Sequence, residues 1–462
     1  MSLLSPIKRL YLRGLDRAKV AEHTFMVVAA VVVGVASGYG AVALRTLISW
    51  VQQAGYGAAG EDLGGLDLPV WQIILVPALG GLLVGPIIYL LAREAKGHGV
   101  PQVMEAVTLR EGAMRPRVAV AKMLASALTI GSGGSSGREG PIVQIGSAIG
   151  SSVGQALRVS GRRLRTLVGC GAAGGIAAAF NAPVAGALFA LEIILGDFGV
   201  SHFSPIVISS VTATVISRHH YGDFPAFEAP PYHLVSAWEL PIYAILGVLA
   251  GVIAVFYART LHRAEDLFER KVPGPEWLKP ALGGALLGLL ALKLPQVLGV
   301  GYGAIDAALQ GEVTLWLLLA LVGGKILATS LTLGSGGSGG IFAPSLFIGA
   351  MGGGFLGTVA HRLLPHATAG PGAYALVGMG ALVAGATHAP ITAILILFEL
   401  TSSYTIILPL MISCIIATLV AQRLDPESIY TRKLVDKGIE IHRGQDVNVL
   451  RAIRVRDVLQ PG

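Results

Sequence analysis

The sequence has few charged residues and almost no cysteine. Charged side chains make up 13% of its 462 residues, whereas soluble domains carry about 25%. The two cysteines, Cys170 and Cys414, lie in apolar surroundings, so the sequence predicts neither a disulfide framework nor a metal site. With 53% hydrophobic residues, this composition excludes an ordinary soluble domain and indicates an integral membrane protein.

Long apolar runs recur along the chain. Five are predicted to cross a bilayer about 30 Å thick, namely residues 25–51, 70–92, 240–255, 315–333 and 406–420. Others, such as residues 141–153 and 183–195, are too short to cross alone. Short segments interrupted by glycine are typical of broken helices that meet inside a membrane. The sequence therefore predicts an all-α polytopic membrane protein with broken and re-entrant helices.

The net charge of +7 arises from basic clusters that border the apolar runs. Clusters at residues 8–19, 110–122 and 158–165 mark the cytoplasmic side of the membrane, because cytoplasmic loops carry an excess of lysine and arginine. The segment 423–443 follows the last apolar run and is also placed in the cytoplasm. We therefore expect a cell-membrane protein, in a bacterial inner membrane, with both termini cytoplasmic and no nucleic-acid partner.

The second half of the chain repeats the first. Residues 131–146 read GSGGSSGREGPIVQIG and align with GSGGSGGIFAPSLFIG at residues 334–349, while residues 180–193 align with residues 387–400. Two related halves with broken helices at matching places point to a transporter whose site lies between the repeats. The pattern itself leaves open whether the halves are parallel or inverted.

This repeat divides the chain into four parts. We predict a basic amphipathic lead-in on the membrane surface (1–22), a first membrane repeat (23–221), a second membrane repeat (222–440) and a cytoplasmic tail (441–462). A polar, proline-rich connection follows residue 221 and separates the repeats.

A glycine-rich loop at residues 131–140 leads into an apolar run that begins at Pro141. Bare N–H groups and the positive end of a helix dipole would converge there and form an anion site. Glu139 places a carboxylate at that spot. It either offsets the helix dipole or competes with a bound anion when ionised and withdraws when protonated. Because ionisable residues within membrane segments are usually functional, we predict that Glu139 is a gate and proton acceptor.

Four motifs together resemble the CLC family of chloride channels and chloride/proton antiporters. They are GHGVP at 97–101, GREGP at 137–141, GGIFAP at 339–344 and SIY at 428–430. The resemblance covers residues 25–440 and implies two inverted-topology repeats, a homodimer and one chloride path in each subunit. It also implies an external glutamate, matched by Glu139, that gates the path and carries protons, with no cofactor beyond the transported chloride.

The resemblance further implies a set of anion-binding residues: His98, Arg138, Gly340, Ile341, Phe342 and Tyr430. At residues 340–342 the backbone N–H groups would bind the anion, and Tyr430 would donate its hydroxyl. For Arg138 the neighbouring backbone would contribute, and a purely structural side chain is an equal alternative. The family's usual residue at His98 is serine, so either the imidazole donates instead or it turns away and a backbone N–H serves.

The proton supply departs from the family's pattern. Many coupled members carry two adjacent carboxylates here, whereas this chain has Glu192 followed by Ile193, which cannot titrate. Either protons reach Glu139 through water or Glu192, or the protein is an uncoupled channel. The repeat-related residues His388 and Glu399 are predicted to pair with or cap helix ends.

Other readings concern the substrate, the tail and the class of protein. A transporter of fluoride or nitrate is an alternative: the retained Pro141 favours chloride, and His98 weakens that argument. A remote alternative is an intramembrane serine protease using Ser135 or Ser136 with His388, which would need the two side chains in contact; we predict that the chain is not an enzyme.

Residues 446–462 look like the opening of a truncated CBS domain, or form an ordinary amphipathic tail.

Overall fold

The computed structural model describes residues 4–58, 60, 63–223, 227, 232, 234–236, 239–401 and 405–439. Within these residues the regular elements are helices, and two isolated bridges are the β pairings present. The all-α prediction is therefore confirmed. The tail at 441–462, with its CBS interpretation, lies outside the described residues.

The first half of the chain contains eight of the helices that the structure describes. Their bounds are α1 Leu4–Tyr56, α2 Val70–Leu91, α3 Val100–Leu109, α4 Arg117–Gly131, α5 Glu139–Ala156, α6 Gly161–Phe180, α7 Pro183–Phe189 and α8 Val200–Tyr221. A π-helical segment, Ala190–Leu195, continues α7, and a 3₁₀ turn, Arg93–Ala95, follows α2. The predicted lead-in and first span share the single helix α1.

The second half follows the same order. Its helices are α9 Glu239–Arg270, α10 Lys279–Ala291, α11 Tyr302–Gln310, α12 Leu315–Gly334, α13 Phe342–Leu363, α14 Pro371–Thr387, α15 Pro390–Thr401, α16 Ile407–Leu424 and α17 Arg432–Val435. Two 3₁₀ turns, Glu276–Leu278 and Pro295–Val297, precede α10 and α11. Helices α9–α16 correspond in order to α1–α8, and α17 has no counterpart in the described part of the first half.

Six described helices are long and apolar enough to cross a membrane: Thr24–Tyr56, Val70–Leu91, Glu239–Arg270, Leu315–Gly334, Phe342–Leu363 and Ile407–Leu424. The five predicted runs match five of these helices, and two of the runs, 70–92 and 406–420, extend one residue beyond the helix. The sixth, α13, was not predicted as a span from the sequence, because its glycines lower its mean hydropathy to 1.4, against 1.8 or more in the others.

Glycines set the packing of the helices that carry the site, and they do so identically in both halves. A Cβ on Gly146 of α5 would collide with the carbonyl of Gly171 on α6. In the second half a Cβ on Gly349 of α13 would collide with the carbonyl of Gly378 on α14. Small residues let membrane helices approach closely where apolar burial gives little driving force. The duplicated sequence thus produces duplicated helix pairs.

Candidate functional site

Backbone bridges between the two halves bring three helix N-termini together. The amide of Gly97 donates to Gly337 at 3.1 Å, and the amide of Gly339 donates back to Gly97 at 3.3 Å. A second, antiparallel bridge joins Gly137 and Gly340, with N···O distances of 2.8 and 2.6 Å. Because these residues immediately precede α3, α5 and α13, the three helices begin at one place.

The close approach depends on missing side chains. A Cβ on Gly140 would collide with the carbonyl oxygen of His98, and a Cβ on Gly340 would lie 2.7 Å from the amide nitrogen of Gly140. The first N–H groups of a helix have no intrahelical partner, and they lie at the positive end of its dipole. The convergence of these helix starts therefore creates an electropositive site lined by backbone amides.

Glu139 is the first residue of α5, and its side chain is buried, with 1% of its surface exposed. Its Oε1 accepts a hydrogen bond from the Tyr302 hydroxyl at 3.3 Å. A Cβ on Gly137 would collide with Oε2 and would lie 2.9 Å from the Cβ of Ala343, in the first turn of α13. The carboxylate thus folds back into the space between α5 and α13, where an anion would sit.

Tyr302 is a site residue that was not predicted from the sequence. It is the first residue of α11 and follows the turn at 299–301, which repeats the turn at 97–99. The guanidinium of Arg138 lies 5.6 Å from its ring centre, and the ring of Phe227 meets it edge-on at 4.9 Å. Alignment of GVGY with GHGV in the internal repeat was the signal that could have found it.

Arg138 has separate backbone and side-chain positions. Its backbone is the N-cap of α5, next to Glu139. Its half-buried guanidinium lies over Tyr302, and it also lines a small pocket with Tyr221. The side chain therefore supports Tyr302, the residue that donates to Glu139.

His98 and Tyr430 face each other inside the site. Their ring centres are 5.8 Å apart, and His98 has 1% of its surface exposed. Neither imidazole nitrogen has a hydrogen-bond partner among the residues that the structure describes. An unpaired buried polar group costs about 1–3 kcal/mol, which a bound anion would offset. This geometry favours a donating imidazole over one that turns away.

The amides at residues 340–342 divide into two groups. The amide of Gly340 donates to Gly137, so the prediction that it binds the anion is wrong for this conformation; the glycine instead permits close approach to α5. Ile341 is the N-cap of α13 and Phe342 its first residue, so their N–H groups lie outside the intrahelical pattern. Both side chains are buried, and Phe342 packs against the Phe180 ring at 5.3 Å.

The carboxylate of Glu192 caps the start of α15. It accepts from the amides of Ile391 at 3.3 Å and Thr392 at 2.7 Å, and from the Thr392 hydroxyl at 2.6 Å. This bonding, which occupies both oxygens at the start of α15, gives no support to its predicted place in a proton pathway. Ile193 beside it is buried.

Glu399 makes the reciprocal cap. Its two oxygens accept from the amides of Val184 at 3.0 Å and Ala185 at 2.7 Å, at the start of α7. The predicted capping role of Glu399 is confirmed. In each repeat, therefore, a carboxylate caps the start of a helix in the other repeat: Glu192 caps α15 and Glu399 caps α7.

The serine protease alternative lacks its required contact. The Ser135 hydroxyl pairs with Thr329 at 3.3 Å, and the Ser136 hydroxyl has no hydrogen-bond partner in the described part of the chain. His388 caps the C-terminus of α14 in a left-handed conformation. Among the described residues neither serine is bonded to a histidine, so the structure shows no activated nucleophile there.

A polar vestibule of about 890 Å³ lies beside the His98 turn. It is lined by the C-terminal end of α9, residues 424–428 and α17. Lys433 in its wall pairs with Glu265 at 3.1 Å, and a Cβ on Gly97 would lie 3.6 Å from the Lys433 ammonium. The vestibule thus places an open polar cavity and the Lys433–Glu265 ion pair beside the turn that carries His98.

Comparisons with known proteins cover nearly the whole of both repeats. A family model described as voltage gated chloride channel matches residues 80–422. A ClcB-like protein of Ralstonia nicotianae, named provisionally as a chloride channel, is 38% identical over 88% of this chain and 96% of its own. The H(+)/Cl(-) exchange transporter ClcA of Vibrio parahaemolyticus is 35% identical over 88% of this chain and 89% of its own. The crystal structure of a slow cyanobacterial Cl-/H+ antiporter matches with a TM-score of 0.80 at 30% identity, covering 89% of this chain and 97% of that one.

Proposed function

Since the chain belongs to the voltage-gated chloride channel (CLC) family, we propose that it transports chloride across a membrane along a path gated by Glu139. The observation that carries the proposal is the position of the Glu139 carboxylate, which is folded between the N-termini of α5 and α13. Amides and helix dipoles there stabilise any negative charge. An ionised glutamate and a chloride ion therefore compete for the same place.

Proton binding would open this gate. When Glu139 takes up a proton it loses its charge and, with it, most of its attraction to the helix N-termini. The side chain then leaves, and chloride binds to the amides that it vacates. His98 and Tyr430, on the inner side of the site, donate to the anion there. One proton site thus controls one anion path.

We propose chloride/proton antiport, because a single titratable carboxylate acts both as the obstacle to chloride and as a proton acceptor. The relative from Vibrio parahaemolyticus is named an exchange transporter, which supports this choice. The second candidate is a passive chloride channel, and Ile193 favours it, since this side chain cannot carry a proton. In the antiporter, protons would reach Glu139 through water and not through Glu192, whose oxygens cap α15.

The protein is a multi-pass membrane protein, and we propose further that it works as a homodimer in a bacterial inner membrane. The bacterial relatives and the cytoplasmic placement of the basic clusters support this location. Both termini would then lie in the cytoplasm. The proposed partners are chloride, protons and a second copy of the chain, with no cofactor.

The proposal is tested by flux measurements in proteoliposomes. An imposed chloride gradient should drive chloride through the protein and, in an antiporter, move protons uphill against their own gradient. Chloride flux without uphill proton movement would establish the channel instead. Replacing chloride by fluoride or nitrate in the same assay distinguishes the alternative substrates, and absence of any anion flux would overturn the proposal.

A further inference from the structure

Two buried lysines occupy equivalent positions in the two repeats. Lys122 of α4 and Lys325 of α12 are 203 positions apart, and both are fully buried. The Lys122 ammonium donates to the carbonyl of Gly97 at 2.6 Å and to that of the residue two positions earlier at 3.1 Å. Lys325 donates in the same way to Gly299 at 2.9 Å and to the residue two positions earlier at 3.1 Å. Each lysine holds the turn that leads into a short helix.

The turn held by Lys325 carries the residue that touches the gate. Gly301 is the N-cap of α11 at φ 88°, a left-handed conformation that favours glycine. A Cβ there would lie 3.2 Å from the Lys325 ammonium and 2.8 Å from the Phe347 ring. Lys325 itself lies 4.8 Å from the centre of that ring. Lys325, Gly301 and Phe347 therefore leave the turn little room to move.

Tyr302 is the next residue after this turn, and its hydroxyl donates to Glu139 at 3.3 Å. We propose that Lys325 is a positioning residue of the gate: by holding residues 297–299, it keeps the Tyr302 hydroxyl against the ionised Glu139 and so favours the closed state. The inference rests on the proposed function. Lys122 performs the corresponding task for the turn that carries His98, on the anion-binding side of the same site.

A lysine suits this task because its ammonium carries three donors and no acceptor. Two of them satisfy carbonyls that are buried away from water, and an unpaired carbonyl in that place would be costly. Removing the ammonium frees these carbonyls to turn toward other donors. The turn then shifts, and the hydroxyl of Tyr302 moves away from the carboxylate.

The gate's response to pH distinguishes this role from a purely structural one. In the described structure, Tyr302 contacts Glu139, and the other charged or titratable side chains whose charge acts on this carboxylate are Arg138 and Tyr430. A hydrogen bond from Tyr302 stabilises the ionised carboxylate, so its loss lets Glu139 take up a proton at higher pH. Flux that requires the protonated gate then reaches half its maximum at higher pH.

The test is a double-mutant cycle on chloride flux in proteoliposomes, measured over a series of pH values. Tyr302→Phe should raise flux at neutral pH about fivefold, as expected for the loss of one hydrogen bond, and move the pH of half-maximal flux upward. Lys325→Met should cause the same upward shift. The double variant should shift no further than Tyr302→Phe alone, and Lys325→Arg, which retains donors, should restore part of the original profile.

Lys122→Met is the matched control, because it breaks the equivalent contact in the other repeat. It should weaken chloride binding and leave the pH of half-maximal flux unchanged. Should Lys325→Met not reconstitute, Lys325→Gln, which keeps one amide donor group, gives the same comparison. An equal loss of flux at every pH, or effects of Lys325→Met and Tyr302→Phe that simply add, would overturn the inference while leaving chloride transport intact. Absence of flux from the unchanged protein would reject the proposed function and this inference with it.

Discussion

Tyr302 and Glu139 are each the first residue of a helix, and the tyrosine hydroxyl donates to the carboxylate at 3.3 Å. The contact joins the second repeat to the first across 163 positions of sequence. Only the first repeat supplies a carboxylate at its glycine-rich loop, since Phe342 stands at the corresponding place in the second. The second repeat instead supplies the hydroxyl that donates to this carboxylate.

Replacing the gate should separate proton movement from chloride movement. In Glu139→Gln the amide is neutral at every pH, so it neither competes strongly with chloride nor carries a proton. We expect proton transport to fall about 100-fold, within the range contributed by a single proton-transfer group, while chloride flux persists. Parallel recordings of both ions in proteoliposomes provide the measurement. Uphill proton transport that survives this change would remove Glu139 from its assigned role.

His98 should make chloride binding depend on pH. A protonated imidazole adds a positive charge and a stronger donor, so chloride should bind more tightly as pH falls. Burial and the positive charges of Lys433 and Lys122 hold the pKa of His98 well below its usual range, so this change belongs to acid pH. In a Glu139→Gln background, which removes the gate's own titration, we expect the affinity to stay constant near neutral pH and to rise about three- to tenfold only under distinctly acidic conditions. Isothermal titration calorimetry with chloride measures this change.

The control for His98 is its neighbour across the site. His98→Ser should flatten the pH dependence, whereas Tyr430→Phe should weaken chloride binding equally at every pH, because the phenol hydroxyl does not titrate in this range. If His98→Ser retains the original pH dependence, the imidazole is not a ligand of the anion.

The two helix caps made by Glu192 and Glu399 should contribute similarly to stability. Glu192→Ala and Glu399→Ala each remove a carboxylate from the start of a helix in the other repeat, so each should destabilise the protein by about 1 kcal/mol. Thermal unfolding in detergent should show similar decreases in melting temperature. The ratio of protons to chloride should be unchanged in both variants. Selective loss of proton transport in Glu192→Ala would restore this residue to the proton pathway.

Gly140 should tolerate no side chain. In Gly140→Ala the new methyl would collide with the backbone carbonyl of His98, and neither α5 nor the turn at 97–99 can retreat without breaking the site. We expect chloride binding to be lost, together with most of the folded yield. Gly323→Ala in α12 is the control, since a Cβ there has no atom within 4 Å, and it should bind chloride normally. Equal chloride affinity in the two variants would contradict this account of the site.

Much of the site was predictable from local signals in the sequence. Hydropathy and low charge indicated the membrane class, and glycine spacing placed Glu139 at the start of a helix within an anion-binding loop. The structure places His98 against Tyr430, and it places Glu139 and Phe342 at the starts of two helices that converge. The role of Gly340 was mistaken, because a sequence shows that an amide precedes a helix but not that a second loop already accepts its hydrogen bond.

By itself, the amino-acid sequence determined the helical membrane class, the duplication and the carboxylate at the anion site, because hydropathy and glycine spacing are properties of neighbouring residues. Only the tertiary structure decided what holds that carboxylate and what Glu192 does. The contact of Tyr302 with Glu139 spans 163 positions, and the caps made by Glu192 span about 200. Such contacts depend on how the two similar halves pack against each other. The sequence of either half alone does not specify that packing.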